Sequence, residues 1–529
     1  MYNNEDLQEM CSRMFKSHME HFHLWDSLAK HLNPELANFY SKYNNQGYAT
    51  GLNTSAPVTM FRDLTDNVGT VLRYGDYFEN TVKGIEEGDE SYDFLQTTTA
   101  LQRKMMFDPK SGFNRSSKIH DKQYQLFGQS VKSITLNRNR NGLLFRTYPL
   151  QDVAWTDDYA GDVDIVVRKW KPTYRQASQL FGKDKLHSNF LKACEDKATK
   201  FEPCELHHIV MPSKLYGDPS IKEDYVAIWL DQDNGHKIEC IGMRYNEYVV
   251  SRHFPIAGTP YAYSPIATTA LIDARSLQLM TGTLLDAAER YVRPPLIATK
   301  KAIKGRLDLT GRTATWIDGK YDERTGDPLR TLDMGSGGYP VGIDQHDRMV
   351  NQLGHDLYKE KLTLPERTET ASEWNDRMQA YRLGVIPILQ PVLDEDTAPT
   401  CDLAFDIMMN NNFFGNPEEI PQELQGKDVE FKFSSPLTET EDQKITSTYL
   451  SSLEIVAQTM GVFGDQAGAN FSVNTGLRDA LKANKAKVHW LVSEKETEAK
   501  LAEAQAKQQM AEMQQFAASM TQEQVPANA

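Results

Sequence analysis

The chain has 529 residues, of which 40% are apolar and 25% are charged. This length and composition suit about three or four folding units with real cores and exclude a mainly disordered protein. Acidic residues outnumber basic ones 73 to 58, a formal net charge of −15. No basic surface can therefore dominate the molecule, which argues against a sequence-reading nucleic-acid binder.

Five scattered cysteines, without a Cys-x-x-Cys pair, favour reduced thiols in a cytoplasmic setting. The first residues lack the basic flank and apolar run of a signal peptide, and no apolar run reaches 18 residues. We therefore expect a chain that is neither secreted by that route nor membrane-spanning.

The first half of the chain changes from helical to strand-like periodicity. Apolar spacing predicts helices over 5–32 and 56–78, joined by an exposed loop over 40–55. From Gly128 the pattern alternates, and the Asn141-Gly142 pair predicts a hairpin with positive φ in its turn. Further strands and a helix capped by Thr173 make 128–255 a mixed α+β unit.

The middle of the chain predicts two long helices with a small β module between them. Residues 266–292 repeat apolar side chains at steps of three and four, and helical spacing resumes over 344–362. The glycine-rich stretch 296–342 between them fits short hairpins better than another helix.

After a polar loop, a capping box at 370–373 starts a helix that should be kinked at Pro387 and Pro391. A strand is predicted at 429–433, with helices at 439–460 and from Leu477 to Glu523.

Catalytic and metal-binding patterns are weak. The chain contains no GxxxxGK[ST] and no GxSxG sequence. Cys204, His207, His208 and Cys240 could be imagined around zinc, but adjacent strand residues face opposite ways, so core and surface roles are favoured. Acidic clusters such as 394–396 read as solvated faces rather than as a nuclease site. We expect no cofactor, no metal site and no enzymatic activity.

Four blocks, in order, resemble the head-to-tail connecting (portal) proteins of short-tailed, T7-like podoviruses. The most specific runs from Pro260-Tyr261-Ala262-Tyr263-Ser264-Pro265 through the following helix to Arg293-Pro294-Pro295-Leu296. The others are Phe22 to Pro34, Phe127 to Gly182 with its Gly161-Asp162-Val163-Asp164 turn, and Glu369 to Leu389. Together they cover most of the chain.

The resemblance implies an α+β, mainly helical portal fold that assembles as a dodecameric ring around a central channel. Its parts would be a wing (1–265), a first stem helix (266–292), a clip (293–342), a second stem helix (343–362), a channel loop (363–370), a kinked wing helix with return strand (371–438) and C-terminal crown or barrel helices (439–529).

The resemblance also implies a function, in which viral double-stranded DNA is packaged, retained and ejected through the ring at one capsid vertex of the virion. Assembly would occur in the host cytoplasm. The implied partners are other copies of the chain, DNA without sequence preference, the major capsid protein, scaffolding protein, the terminase large subunit, and then the tail adaptor or tail tube and internal core proteins.

Two groups of mainly charged residues could contact DNA or partners in such a ring. Lys359, Lys361, Pro365, Glu366 and Arg367 lie in or beside the predicted channel loop. Residues 293–342 carry nine basic and six acidic side chains, and we assign DNA, terminase or adaptor contact to Lys300, Lys301, Lys304 and Arg306. An ordinary exposed loop is the alternative for the first group.

Other functional classes remain as alternatives. One is a tail adaptor or another structural connector that does not gate DNA, and a less favoured one is a nuclease or NTPase of the packaging machinery. An ATPase would need a phosphate-binding loop, which the chain does not contain.

Overall fold

The structure is a computed structural model. The residues that it describes are 2–40, 51–73, 77–82, 89–196, 198–255, 258–293, 296–298, 303–304, 316–317, 329–331, 338–359, 384, 387–415, 420–425, 429–433, 438–463, 471–484, 497, 500, 507 and 510. They fall into two compact units, which comprise 1–69 with 112–137 and 144–400, and 70–111 with 138–143 and 401–529.

The predicted N-terminal helical stretch is two helices, α1 (Asn4–Met19) and α2 (Phe22–Leu32). Asn3 and Asp6 form a capping box at the start of α1, which satisfies amide groups that have no partner within the helix. The predicted stop before Pro34 is confirmed, because α2 ends at Leu32.

The second predicted helix is shorter than expected. Helix α3 spans Ala56–Leu72, and Phe78–Val82 is a strand, β1. Tyr77 has a φ of +68°, which is outside the right-handed helical region. The prediction of helix up to Phe78 is therefore wrong. Residues 51–55 are in neither helix nor strand, as the predicted loop requires, and the Asn53 and Thr54 amides donate to the Gln278 side chain; the rest of that loop, 41–50, lies outside the described residues.

The remaining elements of the first unit follow in chain order. They are α5 (Phe113–Phe127), β2 (Gln129–Leu136), β3 (Leu143–Tyr148), β4 (Val153–Asp157), β5 (Val163–Trp170), α6 (Tyr174–Phe181), α7 (Ser188–Glu195), β6 (Leu206–Pro212), α8 (Ser213–Tyr216), β7 (Tyr225–Asp231), β8 (His236–Met243) and β9 (Tyr248–Arg252). Short 3₁₀ turns lie at Pro34–Leu36, Leu150–Asp152 and Thr199–Phe201. The sequence prediction of a mixed α+β unit is confirmed.

Two antiparallel sheets form the core of this unit. The larger has the order β4-β5-β6-β7-β8, and the smaller has the order β3-β2-β9. Helix α1 covers one face of the larger sheet through Leu7 and Met14, and α6 and α7 cover the other through Phe181 and Phe190. The larger sheet is thus buried on both faces.

The predicted hairpin joins neighbouring strands, because β2 and β3 are adjacent in the smaller sheet. Its turn differs from the expectation. Arg140 has a φ of +53°, whereas neither Asn141 nor Gly142 is among the residues with positive φ. The two strands are joined by six residues, 137–142, whereas an Asn-Gly pair favours a two-residue turn.

A buried histidine connects the N-terminal helices to the chain that follows the sheets. His18 contacts the Leu150 carbonyl oxygen at 2.6 Å and the Tyr261 hydroxyl at 3.1 Å. Its ring lies edge-on to Trp25 and Trp155. Burial lowers the pKa of His18 to about 3, so the ring is neutral and acts as a hydrogen-bonding core residue.

The second unit contains β1, α4 (Asp89–Met106), the strand β14 (Val429–Phe433) and three further helices. The predicted strand is confirmed, and β14 pairs with β1 in antiparallel register. Gln102 of α4 donates to the Cys401 carbonyl oxygen at 3.0 Å. The three helices are Ala398–Asn410, which precedes β14 and enters this unit at Cys401, then Thr438–Phe463 and Val473–Ala483.

Two of these helices form a C-terminal hairpin, in which the rings of Tyr449 and Phe471 stack. Most of the stretch predicted as one long helix, up to Glu523, lies outside the described residues. Among the helices of the described ranges, none has the length and apolar character needed to cross a membrane.

Gly128, at the junction of α5 and β2, gives a test of this packing. Its φ is +77°, and a Cβ atom there would lie 2.4 Å from backbone atoms of Tyr263 and Ser264. Backbone atoms cannot move aside as a flexible side chain can. We expect Gly128→Ala to lower the free energy of unfolding by more than about 3 kcal/mol, in chemical denaturation followed by circular dichroism.

The matched control is Gly161→Ala. Gly161 also has positive φ, +91°, but nothing lies within 4 Å of its added Cβ. This variant should lose only the backbone term, about 1–2 kcal/mol. Equal losses in the two variants would show that the contact with residues 263 and 264 does not matter.

Candidate functional site

A long helix of the first unit begins at a tightly fixed point. Helix α9 spans Pro265–Val292, in agreement with the predicted 266–292. The Ser264 hydroxyl accepts from the Ala267 amide at 3.0 Å and donates to the Gln125 carbonyl oxygen at 2.6 Å. One side chain therefore caps α9 and ties its start to α5.

The predicted β module follows α9. Strand β10 (Leu296–Ala298) pairs with β13 (Leu329–Thr331), and β11 (Ile303–Lys304) pairs with β12 (Trp316–Ile317), both antiparallel. The order helix, β module, helix is confirmed by the next helix, α10, which spans Gly338–Asp356. It begins six residues before the predicted Asp344 and ends six residues before the predicted Leu362, because 357–359 form a turn.

The two long helices pack side by side in opposite directions. Gly342 of α10 faces Leu284 of α9, and His346 contacts the Thr281 hydroxyl at 3.2 Å. Farther along, burial and a hydrogen bond with Asp356 raise the pKa of Asp273. At 1.5 Å per residue, the 28 residues of α9 extend about 42 Å.

The same pair of helices leaves large apolar side chains uncovered. On α9, Leu279 is 74% exposed and Ile272 is 65% exposed, and Leu285 and Tyr291 are also exposed. On α10, Val341 is exposed. Isolated surface leucines are common, but several on one element mark a surface that fits a partner.

Few of the predicted contact residues are described. Lys359 is exposed in the turn that follows α10, and its amide donates to the Gly354 carbonyl oxygen at 3.0 Å. Lys304 lies in β11. Seven predicted residues lie outside the described ranges, namely Lys361, Pro365, Glu366, Arg367, Lys300, Lys301 and Arg306. Their roles stay predictions.

The predicted kink region contains a π turn. The chain is helical from Pro387 to Asn410, and Leu393–Thr397 within it is π-helical. Pro387 is exposed and Pro391 is partly exposed. Pro391 cannot donate a backbone hydrogen bond, and the wider turn begins two residues after it. The kink at these prolines stays a prediction.

A buried polar network binds this π turn to the smaller sheet. One carboxylate oxygen of Asp396 lies 2.6 Å from the Lys132 ammonium, 2.9 Å from His120 Nε2 and 2.9 Å from the Ser251 hydroxyl. All four residues are buried, so the prediction that the cluster 394–396 is a solvated face is wrong for Asp396. Burial alone would raise the pKa of Asp396, but the charges of and hydrogen bonds from His120 and Lys132 lower it well below its ordinary range.

The network has the residue types of a serine hydrolase but not the required arrangement. His120 uses the same Nε2 atom toward Ser251, at 3.1 Å, and toward Asp396. In a triad the two partners bind different ring nitrogens, and the hydroxyl must reach a substrate. Ser251 is fully buried. The network is therefore structural.

The imagined zinc ligands are also separated by the fold. On β6, His207 packs toward Phe15 of α1, whereas His208 contacts the Tyr248 hydroxyl at 2.7 Å on the other face. This opposite orientation was predicted. Within the described part of the chain, no three His, Cys, Asp or Glu side chains group in a way that could hold a metal ion.

A second buried cluster joins the two sheets. Arg168 of β5 donates to the Tyr248 hydroxyl of β9 at 2.9 Å and lies over the ring of Tyr148. His208 is close to Glu247, with a 3.6 Å separation. Burial lowers the pKa of His208 to about 3, so this contact is not an ion pair.

Comparison with known proteins places these features in a family. Residues 99–483 match the family described as "Bacteriophage head to tail connecting protein". A "Probable portal protein" of Bordetella phage BPP-1 is 24% identical over 79% of this chain and 76% of that protein. A "Portal protein" of Salmonella phage epsilon15 is 21% identical over 78% and 76% of the two chains.

Among solved structures, a chain of "Virion of native gene transfer agent (GTA) particle" aligns with 75% of this chain and 85% of its own length, at 10% identity and a TM-score of 0.33. The family match covers most of the chain, including α9, the β module, α10 and the π turn.

Glu247 gives a test of the cluster between the sheets. Burial raises its pKa to about 7, against an ordinary value of 4.5, although Arg168 and a hydrogen bond from Tyr248 act in the opposite direction. The folded state should therefore lose stability as pH rises from about 4.5 to about 7. We expect Glu247→Gln to raise the free energy of unfolding at pH 8 by on the order of 2 kcal/mol and to change little at pH 4.5.

Glu205 is a control of opposite sign. A hydrogen bond with His207 and the charges of Lys169 and Lys171 lower its pKa to about 2, in spite of burial. Its contribution should be present above pH 4.5 and disappear as pH falls toward 2, so Glu205→Gln should destabilise the protein at pH 8. Thermal unfolding at both pH values measures both variants, and the same sign for both would contradict these environments.

Proposed function

The chain belongs to the family of bacteriophage head-to-tail connecting proteins, and from this premise we propose that it is the portal of a phage head. Twelve copies would form a ring at one capsid vertex, with the viral double-stranded DNA in the central channel. The observation that carries the proposal is the antiparallel pair α9 and α10 with paired β strands between them, within the matched region.

The parts of the ring are assigned from the chain order. We assign 1–265 to the wing, 266–292 and 343–362 to the stem, 293–342 to the clip and 363–370 to the channel loop. Residues 371–438 would complete the wing and 439–529 would form the crown. The long stem pair, which is fixed to the wing through Ser264, supports this arrangement.

The exposed side chains of α9 and α10 support contact between neighbouring copies. A subunit in a closed ring uses two different surfaces, one for each neighbour. Leu279 and Ile272 are largely exposed in the single chain, and a neighbouring copy would cover them. The burial of this apolar surface would stabilise the ring.

The proposed work of the ring is geometric and electrostatic, and the chain would have no catalytic step of its own. Energy for DNA movement would come from a terminase docked on the clip, which the tail adaptor later replaces. Capsid, scaffolding and internal core proteins would contact the other parts in the virion. Twelve copies would carry a formal charge of about −180, so most of the surface would repel DNA and only local cations would contact it.

A charge placed in the stem tests assembly. Leu279→Asp puts a carboxylate where a neighbouring copy would exclude water, and a buried unpaired charge costs several kcal/mol. We expect the fraction of protein in rings to fall by about tenfold or more. Light scattering and end-on negative-stain images measure this fraction, and the wild type should show rings with a central hole.

Leu180→Asp is the matched control, because Leu180 of α6 is also exposed, at 60%, but lies outside the stem. Its rings should persist. A wild-type monomer or filament would contradict the portal proposal, and intact rings in Leu279→Asp would contradict the stem contact alone.

Neutral substitutions at the channel loop test DNA contact. In rings of Lys359→Gln/Lys361→Gln/Arg367→Gln, fewer phosphate contacts should weaken binding equally for unrelated DNA sequences and make the affinity less dependent on salt. Binding isotherms for short duplexes at two salt concentrations measure both effects.

A triple variant of surface lysines outside this region, Lys183→Gln/Lys214→Gln/Lys222→Gln, has the same change of charge. It should keep the wild-type salt dependence. If the loop variant behaves as this control does, the three cations do not contact DNA.

A further inference from the structure

The helix from Pro387 to Asn410 contains one residue more than an α-helix would need. In the π turn, the Ala398 amide donates to the Leu393 carbonyl oxygen, five residues earlier. This geometry is rarer and weaker than the α-helical bond and is often found at functional positions. Contacts from outside the helix must therefore stabilise the π turn.

The buried residues on either side of the turn are out of α-helical phase. Ile388 and Val392 are buried before it, and Thr397, Cys401 and Ala404 are buried after it. Asp396 and Thr400 are buried as well. Ile388 and Thr397 are nine residues apart, which is 2.5 α-helical turns, so a regular α-helix would place them on opposite sides. The segment before the turn is thus rotated by one residue, about 100°, from its α-helical position.

Two adjacent acidic residues attach the turn to adjacent residues of β9. Asp396 accepts from the Ser251 hydroxyl, and Glu395 lies 3.9 Å from the Arg252 guanidinium. The third acid of the turn, Asp394, is exposed and accepts from Gln390 within its own helix. Asp396 is the one of these three acids that contacts the buried Lys132 ammonium.

The buried ion pair between Lys132 and Asp396 depends on the register of the turn. Lys132 is 2% exposed, so its ammonium is removed from water and depends on the Asp396 carboxylate 2.6 Å away. Loss of one member of a buried ion pair leaves an uncompensated charge, which is far more costly than the loss of a surface pair. If the turn moved Asp396 by one helical position, the Lys132 ammonium would stay buried without its carboxylate partner.

We propose that the helix 387–410 can adopt two registers, π and α, and that Asp396 acts as a lock that holds the π register. While its carboxylate is bound by Lys132, His120 and Ser251, the segment 387–392 stays in the π register. Without that anchor, the turn relaxes toward an α-helix and the segment rotates by about 100°. In the α register Ile388 takes the exposed position of Pro387, and Gln390 takes the buried position of Leu389.

The lock is a property of one subunit and does not require a ring. In a portal it would set the orientation of the segment that follows the channel loop, a consequence that rests on the proposed function. The lock can be tested by thiol reactivity in the full-length protein, which does not require ring formation. A negative result there would leave the portal proposal unaffected.

A cysteine at position 388 reports the register. Ile388 is 4% exposed, so the Ile388→Cys variant should react slowly with a maleimide probe. Adding Asp396→Asn should raise the labelling rate at this position by about tenfold, because the exposed register becomes more populated. Ser251→Ala, which removes one donor and keeps the ion pair, should give a smaller rise and serves where Asp396→Asn does not fold.

Asp394→Asn is the matched control, since it removes the same charge from an exposed position of the same turn and should leave the rate unchanged. Native Cys11, which is buried in α1, reports global unfolding in the same samples by peptide mass spectrometry. A rise at position 388 with unchanged Cys11 supports the lock. No rise, an equal rise in Asp394→Asn, or a parallel rise at Cys11 overturns it.

Discussion

The arrangement of the first unit depends on one buried carboxylate. Asp396 is bound by a residue of α5, a residue of β2 and a residue of β9, namely His120, Lys132 and Ser251. Three elements, all at least 140 residues before Asp396 in the chain, must therefore be in place around it before the charge of Lys132 is neutralised. A buried pair of this kind is weak evidence for high stability, since desolvation offsets most of the attraction. Its effect is to make alternative packings much worse than the native one.

Two of these elements, α5 and β2, also position the start of α9. The Ala262 amide donates to the side chain of Gln129, the first residue of β2, at 3.0 Å, and Ser264 donates to the Gln125 carbonyl oxygen of α5. Gly128 lies between these two contacts and has no room for a side chain. A change of angle at the α5–β2 junction would therefore displace the far end of α9, which extends about 42 Å. The polar network and the long helix are two consequences of one junction.

The sequence was sufficient where apolar periodicity was strong. The strands from Val153 to Arg252, helix α9 and β14 follow from alternating or helical apolar spacing. Helix α5 was missed because its buried face is largely polar and includes His120, Gln123 and Gln125. The donors to Asp396 look like surface residues in the sequence, since each needs a partner hundreds of positions away or on another element. The π turn has no comparable signal in the sequence, because the burial of both Ile388 and Thr397, nine residues apart, is known only from the structure.

The net charge of −15 misleads when it is applied to the whole chain. At physiological ionic strength, charges interact over about 8 Å, whereas α9 alone extends about 42 Å. The charges at its two ends are therefore independent of each other. Residues 293–342, with nine basic and six acidic side chains, form a locally positive segment within an acidic chain. The local charge of a surface, and not the net charge of the chain, decides whether that surface attracts DNA. An acidic composition is therefore compatible with a protein that lets DNA pass and binds it only weakly.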